Sequence, residues 1–386
     1  MPTQTTIETF LRFFTERGHE PITGSTLLPP NIDDPVLFVT SGVHPLNPYL
    51  QGREHPQGRR LVNCQRCLRT TDLDEVGDDT HLTVFEMLGS WSLGDYGHNQ
   101  SLRWGYELLT GGLGVDPSRL HVTVFGGDER CGPDTESERT CSQLGLPVTR
   151  LVSENWWVGP GGMCGPDSEM FVWTGPGDPE GDPSTDPRWV EVWNHVSMRY
   201  QDTGGDLLEL PRRCVDTGMG LERLLMVLQG KDSIYGTDLF EPWMTLVGSW
   251  GLDGRSRRLV VDHLRSLVVL SGDGVRPSNT GRGYVPRRLL RRGLTELWNT
   301  RPDLGVPDVP DEVIGSTLGH FGSRLGVTDV RDVLEGEQRR YRSLLERGRR
   351  VVQRHLRGRR PTREDYRYLH DTQGLPRDVV DRLVPR

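Results

Sequence analysis

The chain has 386 residues with a formal net charge of −8, and 34% of its residues are hydrophobic and 26% charged. It contains no run close to the roughly 18 apolar residues of a membrane span, and Glu8, Arg12 and Glu16 break up the apolar segment that a signal peptide would need, so we expect a cytoplasmic protein without membrane contact. The length favours two domains, and six unevenly spaced cysteines do not form a disulfide framework.

The first predicted element is an amphipathic helix. Apolar residues recur at i, i+3, i+4 and i+7 from Ile7 to Phe14, which is the spacing of one helix face. Residues 5–8 fit a capping box, which predicts that the helix begins at Thr5, and Gly18 is predicted to end it.

Two strand-like runs follow at 61–69 and 83–90, with a polar, acidic segment between them. This pattern predicts an antiparallel hairpin with a long loop. Cys64 and Cys67 form the one close cysteine pair, and a zinc site would need two further ligands that no second pair supplies. We therefore expect ordinary strand positions here and no structural zinc.

The middle of the chain alternates loops and strands. The stretch 173–188 is rich in Gly, Pro, Asp and Glu and predicts a surface loop, and 190–198 predicts a buried strand. At 215–220 a strand is predicted to turn into a helix with a leucine stripe, with Asp216 at the strand's end.

Helical periodicity dominates beyond about residue 250, notably at 260–268 and 330–356. We therefore predict an α+β protein with a mixed domain at 1–250 and an all-helical domain at 251–386.

Four residues have the chemical types that ATP-dependent activation of a carboxylic acid requires. Such a site needs cations for the triphosphate, a flat surface for adenine and a counter-charge for an ammonium group. Arg69, Phe85, Asp216 and Arg223 supply these types. Each also has an ordinary interpretation when taken alone, because Phe85 could be core, Arg69 surface and Asp216 a helix cap.

The segments around these residues carry a family resemblance. FEMLGSWSLGDY at 85–96 and VDTGMGLER at 215–223 resemble the second and third signature motifs of alanyl-tRNA synthetases, which are class II aminoacyl-tRNA synthetases. Further matches occur in the same order at 163–166, 193–194, 262–265, 273–279 and 371–376. The resemblance covers roughly residues 7–380 and implies a class II antiparallel sheet flanked by helices, followed by a helical domain.

The resemblance implies a ligase that uses ATP and Mg²⁺ to convert L-alanine to alanyl-adenylate. Position by position, Arg69 and Arg223 would bind the triphosphate, Phe85 would stack on adenine and Met87 would line the ATP site. Glu86 is a candidate catalytic carboxylate that would bind the metal or support the network around it. The protein itself is expected to hold no separate metal site.

The amino-acid pocket would be formed by Trp157, Asn194 and Asp216, with Asp216 pairing with the ammonium group of alanine. Gly218 and Gly220 would form a small-residue wall that suits a methyl side chain. Size alone discriminates weakly, because one methylene is worth about 1–3 kcal/mol.

The helical domain would contact the acceptor stem of alanine tRNA. Asn279 and Asp371 match the two residues with which the family reads a G·U pair, and Arg287, Arg288 and Arg291 would bind phosphates. From charge alone, a solvated helix face explains these arginines equally well.

The chain also departs from the family pattern. The segment after Arg69 is short and lacks the usual lysine and histidine, Asp167 replaces a cysteine, and Pro286 interrupts a helix unless it lies in a first turn. The sequence stops where the family continues into editing and oligomerising domains. A monomer that discriminates poorly against serine and glycine is therefore expected.

Three functions remain open at this point. The first is a minimal alanyl-tRNA synthetase that charges alanine tRNA. The second is a paralogue that transfers alanine from the adenylate to a small molecule or carrier protein. The third is a non-catalytic RNA-binding or regulatory protein, which the intact ATP and amino-acid residues disfavour.

Overall fold

The computed structural model describes residues 1–30 and 36–384. The chain divides into two compact units, Met1–Asp262 and His263–Arg386. The described part of the first unit contains a large sheet with helices, and that of the second contains helices and short connections. The α+β class and the order of a sheet followed by helices are therefore confirmed.

Nine strands form one sheet in the described residues. They are β1 (Glu20–Pro21), β2 (Arg60–Leu68), β3 (Val84–Ser92), β4 (Leu120–Phe125), β5 (Val148–Leu151), β6 (Trp156–Val158), β7 (Met163–Trp173), β8 (Trp189–Asp202) and β9 (Leu207–Gly220). The order across the sheet is β1-β2-β3-β9-β8-β7-β4-β5, and β6 pairs with β7. The β1–β2 and β4–β5 pairs are parallel and the others are antiparallel.

Twelve α-helices accompany these strands in the described residues. They are α1 (Thr3–Thr15), α2 (Asn47–Leu50), α3 (His98–Glu107), α4 (Thr135–Gln143), α5 (Leu221–Leu228), α6 (Glu241–Ser249), α7 (Gly254–Gly272), α8 (Tyr284–Thr300), α9 (Asp311–His320), α10 (Val327–Leu356), α11 (Arg363–Gln373) and α12 (Arg377–Leu383). The division between the two units falls within α7. Of the described helices, none is both long and apolar enough to cross a bilayer.

One face of the central sheet is covered by helices, and we call it the helix-covered face. Leu88, Met219 and Trp193 lie side by side on β3, β9 and β8, and all three are fully buried. Phe10 and Phe14 of α1 pack on Trp193, with ring centroids 5.8 and 6.2 Å from it. The predicted apolar stripe of the first helix therefore covers this face.

Residues one position away on the same strands point to the opposite face, which we call the cavity face. Across it, Met87 pairs with Gly220 and Trp91 with Asp216. On β8, Asn194 lies opposite Gly218. The pairing register therefore brings the predicted pocket residues of three strands onto one surface.

The predicted hairpin, the loop before β8, the β9–α5 junction and the helix at 330–356 are confirmed by these boundaries. The predicted start of the first helix is wrong, since α1 begins at Thr3 after an extended Pro2. The side chain of Asp238 accepts hydrogen bonds from the backbone nitrogen of Thr3 (2.9 Å) and from its hydroxyl (2.6 Å). Asp238, which is distant in sequence, thus accepts from a backbone N–H of the first turn, and the capping-box pattern at residues 5–8 does not begin the helix.

Two other sequence features are explained by their positions. Pro286 is the third residue of α8 and follows a 3₁₀ turn at Gly281–Gly283, so it lies in a first turn, where a missing N–H breaks no helical bond. Cys64 and Cys67 lie in β2 as free thiols.

Candidate functional site

A cavity of about 280 Å³ lies on the cavity face of the first unit. Eight predicted site residues line it: Arg69, Phe85, Met87, Trp157, Asn194, Asp216, Gly218 and Arg223. The remaining lining includes the acidic residues Asp72, Glu169, Glu191 and Glu222 and the polar residues Ser41, Thr80 and His81. The structure therefore brings together eight predicted residues that are up to 154 positions apart in sequence.

The candidate ATP residues surround part of this cavity. Arg69 directly follows β2, and its guanidinium carbon lies 5.1 Å from the centre of the Phe85 ring. Its Nε donates to the carbonyl oxygen of Thr40 at 3.2 Å. Arg223, in the first turn of α5, forms an ion pair with Glu191 at 2.8 Å. Two guanidinium groups and an aromatic ring are thus available to one ligand.

Asp216 is the candidate counter-charge for an ammonium group. It lies within β9, which continues to Gly220, so the prediction that it ends its strand is wrong; residues 217–220 still pair with β3. The indole N–H of Trp91 donates to its carboxylate at 2.7 Å. Burial raises the pKa of Asp216 to about 7, and the bond from Trp91 opposes this rise. A cation beside this carboxylate would stabilise its ionised form.

Gly218 lies in the cavity wall beside Met87. A methyl group built on Gly218 would come within 2.7 Å of the Met87 sulfur, which is shorter than an ordinary contact. The Met87 side chain therefore fills the space next to Gly218, and a larger residue here would have to displace it.

Glu86 is not brought into the cavity. Its neighbours Phe85 and Met87 line the cavity, and strand alternation turns the Glu86 side chain to the helix-covered face. There its carboxylate accepts a hydrogen bond from the thiol of Cys64 at 3.4 Å. The backbone N–H of Glu86 donates to the carboxylate of Glu222, which does line the cavity, at 3.1 Å.

Sequence reasoning did not assign roles to three carboxyl groups near the cavity. Glu169 and Glu191 line it, and Asp167 lies two residues before Glu169 on β7. Burial, with the charges of Glu191 and Asp167, raises the pKa of Glu169 to about 9. The spacing of Asp167 and Glu169 in a strand was a usable signal, because alternate residues share a face.

Among the described residues, no group of three or more His, Cys, Asp or Glu side chains has the arrangement of a metal site. An ion held by one or two carboxylates and by a ligand's phosphates does not need such a group.

The candidate phosphate-binding arginines of the second unit have unequal surroundings. Glu337 of α10 is fully buried and forms ion pairs with Arg287 (2.9 Å) and Arg291 (3.2 Å). Arg287 also donates to the side chain of Asn279. Arg288 is exposed. Arg287 and Arg291 therefore have an internal structural partner, and Arg288 is the most accessible of the three.

The two candidate base-reading residues both lie on the surface. Asn279 is exposed in the segment before α8. Asp371 is on α11 with 63% of its side chain exposed, and its carboxylate lies 2.8 Å from the ring of His370.

Comparison with known proteins gives a family match over almost the whole chain. The family model described as tRNA synthetases class II (A) matches residues 6–385. An alanine–tRNA ligase of Treponema pallidum is 40% identical over 412 residues, which cover 97% of this chain and 67% of that protein. The corresponding protein of Rubrobacter xylanophilus is 39% identical, covering 97% of this chain and 46% of its own length. The alanine–tRNA ligase of Borreliella afzelii is 44% identical, and the match covers 74% of this chain and 52% of that protein. The chain thus spans about half to two thirds of these relatives.

Proposed function

Because the chain belongs to the class II (A) tRNA synthetase family, we propose that it activates L-alanine with ATP and transfers alanine to the 3′ end of alanine tRNA. The observation that carries the proposal is the convergence of Arg69, Phe85, Asp216 and Arg223 on one cavity. The relatives named alanine–tRNA ligase support the choice of amino acid and acceptor.

ATP would be held by cationic and aromatic contacts. The adenine would stack on Phe85, and Arg69 and Arg223 would bind phosphate oxygens, because guanidinium groups form paired hydrogen bonds with phosphate. Arg223 is paired with Glu191 at 2.8 Å, so phosphate oxygens would compete with that carboxylate.

Alanine would be held through its ammonium group. Its positive charge would stabilise the ionised form of Asp216, and the pKa of that carboxyl would fall on binding. Its methyl side chain would lie against the part of the cavity wall formed by Gly218 and Met87.

The carboxyl groups around Arg223 fit a magnesium ion. Glu191 and Glu222 line the cavity and are the candidates to hold it, since Mg²⁺ in ATP enzymes takes one or two carboxylates and completes its shell with phosphates and water. The ion would supply positive charge to the phosphate oxygens.

In the first reaction a carboxylate oxygen of alanine forms a bond to the α-phosphorus, and the bond from this phosphorus to the bridging oxygen breaks. Pyrophosphate leaves with the electron pair, and Arg69 stabilises charge on the α-phosphate oxygens. In the second, a terminal ribose hydroxyl of the tRNA attacks the carbonyl carbon, loses its proton and displaces AMP. Neither step needs a protein nucleophile, so positioning and electrostatics supply the catalysis.

The tRNA acceptor stem is the proposed partner of the second unit. Asn279 and Asp371 are exposed and would exchange their contacts with Arg287 and His370 for contacts with base edges, and the exposed Arg288 would bind phosphate. The monomeric state and cytoplasmic location expected from the sequence stay predictions.

Two assays test the proposal. Purified protein should exchange pyrophosphate into ATP when alanine is present, and Asp216→Ala should abolish the exchange. It should also charge alanine tRNA, with charging reduced by Asn279→Ala or Asp371→Ala at unchanged exchange. Alanine-dependent exchange without charging would instead indicate a small-molecule or carrier acceptor, and exchange equally fast in Asp216→Ala would refute the site.

A further inference from the structure

A closed ring of hydrogen bonds borders the cavity. The side-chain nitrogen of Asn194 donates to Asp167 (3.1 Å) and Glu169 (3.5 Å). The side-chain nitrogen of Asn155 donates to the other oxygen of Asp167 (3.1 Å) and to Thr123 (3.0 Å). The hydroxyl of Thr123 closes the ring by donating to Glu169 at 3.3 Å.

The sheet register explains how Asp167 reaches Asn194. Asp167 lies opposite Val196 and Glu169 opposite Asn194 across β7 and β8, so Asp167 and Asn194 are diagonal neighbours on one face. The backbone N–H of Asp167 donates to the carbonyl oxygen of Asn155 at 3.0 Å. With only 2% of its surface exposed, Asp167 is held on three sides.

This environment fixes the orientation of the Asn194 amide. An amide has one donor end and one acceptor end. In the structure its nitrogen faces the carboxyl oxygens of Asp167 and Glu169, and turning it over would give up both of these hydrogen bonds. The oxygen of Asn194 is buried and has no hydrogen-bond partner in the protein, although Asn194 lines the cavity. A buried acceptor without a partner destabilises the protein, and a ligand that donates to it would remove this penalty.

The donor that suits this oxygen is an ammonium group. Asn194 lies opposite Gly218 across β8 and β9, and Asp216 lies opposite Val196 two residues further along the same face. Asp216 and Asn194 are therefore diagonal neighbours, so one ammonium group could donate to both.

We infer that Asp167 is a positioning residue for the amino-acid substrate: it holds Asn194 so that the Asn194 oxygen accepts a hydrogen bond from the α-ammonium group beside Asp216. This inference rests on the proposed function. It goes beyond that function because it gives Asp167, which does not line the cavity, a part in selecting amino acids over simple carboxylic acids. Asp167 stands where the family resemblance has a cysteine.

The test is Asp167→Asn, which keeps the size of the side chain but puts a donor nitrogen against the two asparagine amides. In pyrophosphate exchange, the KM for alanine should rise about 10- to 100-fold, because a hydrogen bond to a charged group is lost, and the KM for ATP should stay unchanged. Propionate lacks the ammonium group, and its inhibition constant should change less than about threefold. A loss of packing alone would weaken alanine and propionate together.

A double-mutant cycle shows whether Asp167 acts through Asn194. In an Asn194→Ala background, Asp167→Asn should cause no further rise in the alanine KM. Asp134→Asn is the matched control, because Asp134 is also buried but bonds to Ser137 and Arg199 rather than to a cavity residue. It should lower the melting temperature and leave the alanine KM unchanged.

Several results would overturn the inference: a wild-type alanine KM in Asp167→Asn, equal loss of alanine and propionate, or full additivity in the cycle. Should Asp167→Asn fail to fold, Asp167→Ser removes the carboxylate with a smaller side chain and is expected to give the same shift in KM. A wild-type protein without alanine-dependent exchange would instead refute the proposed function.

Discussion

Replacing Asp216 with asparagine should make the protein more stable while removing its activity. The pKa of Asp216 is raised by burial to about 7, against 3.8 for an exposed aspartate. Since one pKa unit corresponds to about 1.4 kcal/mol, keeping this carboxylate ionised costs up to about 4 kcal/mol of folding stability. Asparagine has the same shape, keeps an oxygen for the Trp91 indole and carries no charge.

The gain should depend on pH in a defined way. Because the folded protein binds this proton more tightly than the unfolded chain does, the wild type loses stability as the pH rises from about 4 to about 7. Asp216→Asn lacks this loss. The difference in unfolding free energy should therefore be near zero at pH 4, grow up to pH 7 and stay constant above it.

Denaturant unfolding of both proteins between pH 4 and pH 8 measures this difference, and alanine-dependent exchange measures the loss of activity. Asp134→Asn provides a control of opposite sign. Burial disfavours the ionised form of Asp134, but three other groups hold its pKa below the ordinary value: His98, whose own pKa burial lowers to about 4, the charged Arg199, and Ser137 through its hydrogen bonds. That variant should be less stable than wild type at pH 7 and approach it as the pH falls. An Asp216→Asn protein that is less stable at pH 7, or whose gain does not change with pH, would refute the reasoning.

Three further substitutions test separate parts of the account. Gly218→Ala places a methyl group 2.7 Å from the Met87 sulfur, so pyrophosphate exchange with alanine should fall about tenfold or more relative to exchange with glycine. An unchanged ratio of the two rates would show that the methyl group of alanine does not bind beside Gly218. Phe85→Ala removes a stacking surface worth about 1–3 kcal/mol per base, so the KM for ATP should rise about fivefold or more at a constant alanine KM; equal shifts in both constants would argue against adenine at this ring. Glu337→Gln leaves Arg287 and Arg291 without a buried counter-charge and should lower the free energy of unfolding, measured with denaturant, by about 3–5 kcal/mol. A decrease below about 1 kcal/mol would mean that the two arginines do not depend on Glu337 and are available for RNA.

Much of the fold follows from local patterns in the sequence. The alternation in 61–69 and 83–90 predicts β2 and β3, and the leucine stripe after Gly220 predicts α5. The cavity residues could be selected because Arg69, Phe85 and Arg223 lie in long motif matches, and strand alternation then places such residues on a common face.

Other features depend on contacts that no local pattern encodes. The partner of Thr3 is Asp238, so the true start of α1 could not be read from residues 5–8. Arg287 pairs with Glu337, which lies 50 positions away in the sequence. The sequence around Arg287 therefore did not show that this arginine belongs to an internal ion pair. Similarly, the bond between Asp167 and Asn194 spans 27 positions and depends on a register shift in β7.

The central claim is that one cavity binds both ATP and alanine, and a crystal structure with a non-hydrolysable alanyl-adenylate analogue tests it most directly. The account predicts adenine stacked on Phe85, the phosphate mimic within hydrogen-bond distance of Arg69, and the ammonium group within about 3 Å of Asp216 and of the Asn194 oxygen. An analogue bound away from these residues, or bound here with its ammonium group directed away from Asp216, would contradict it.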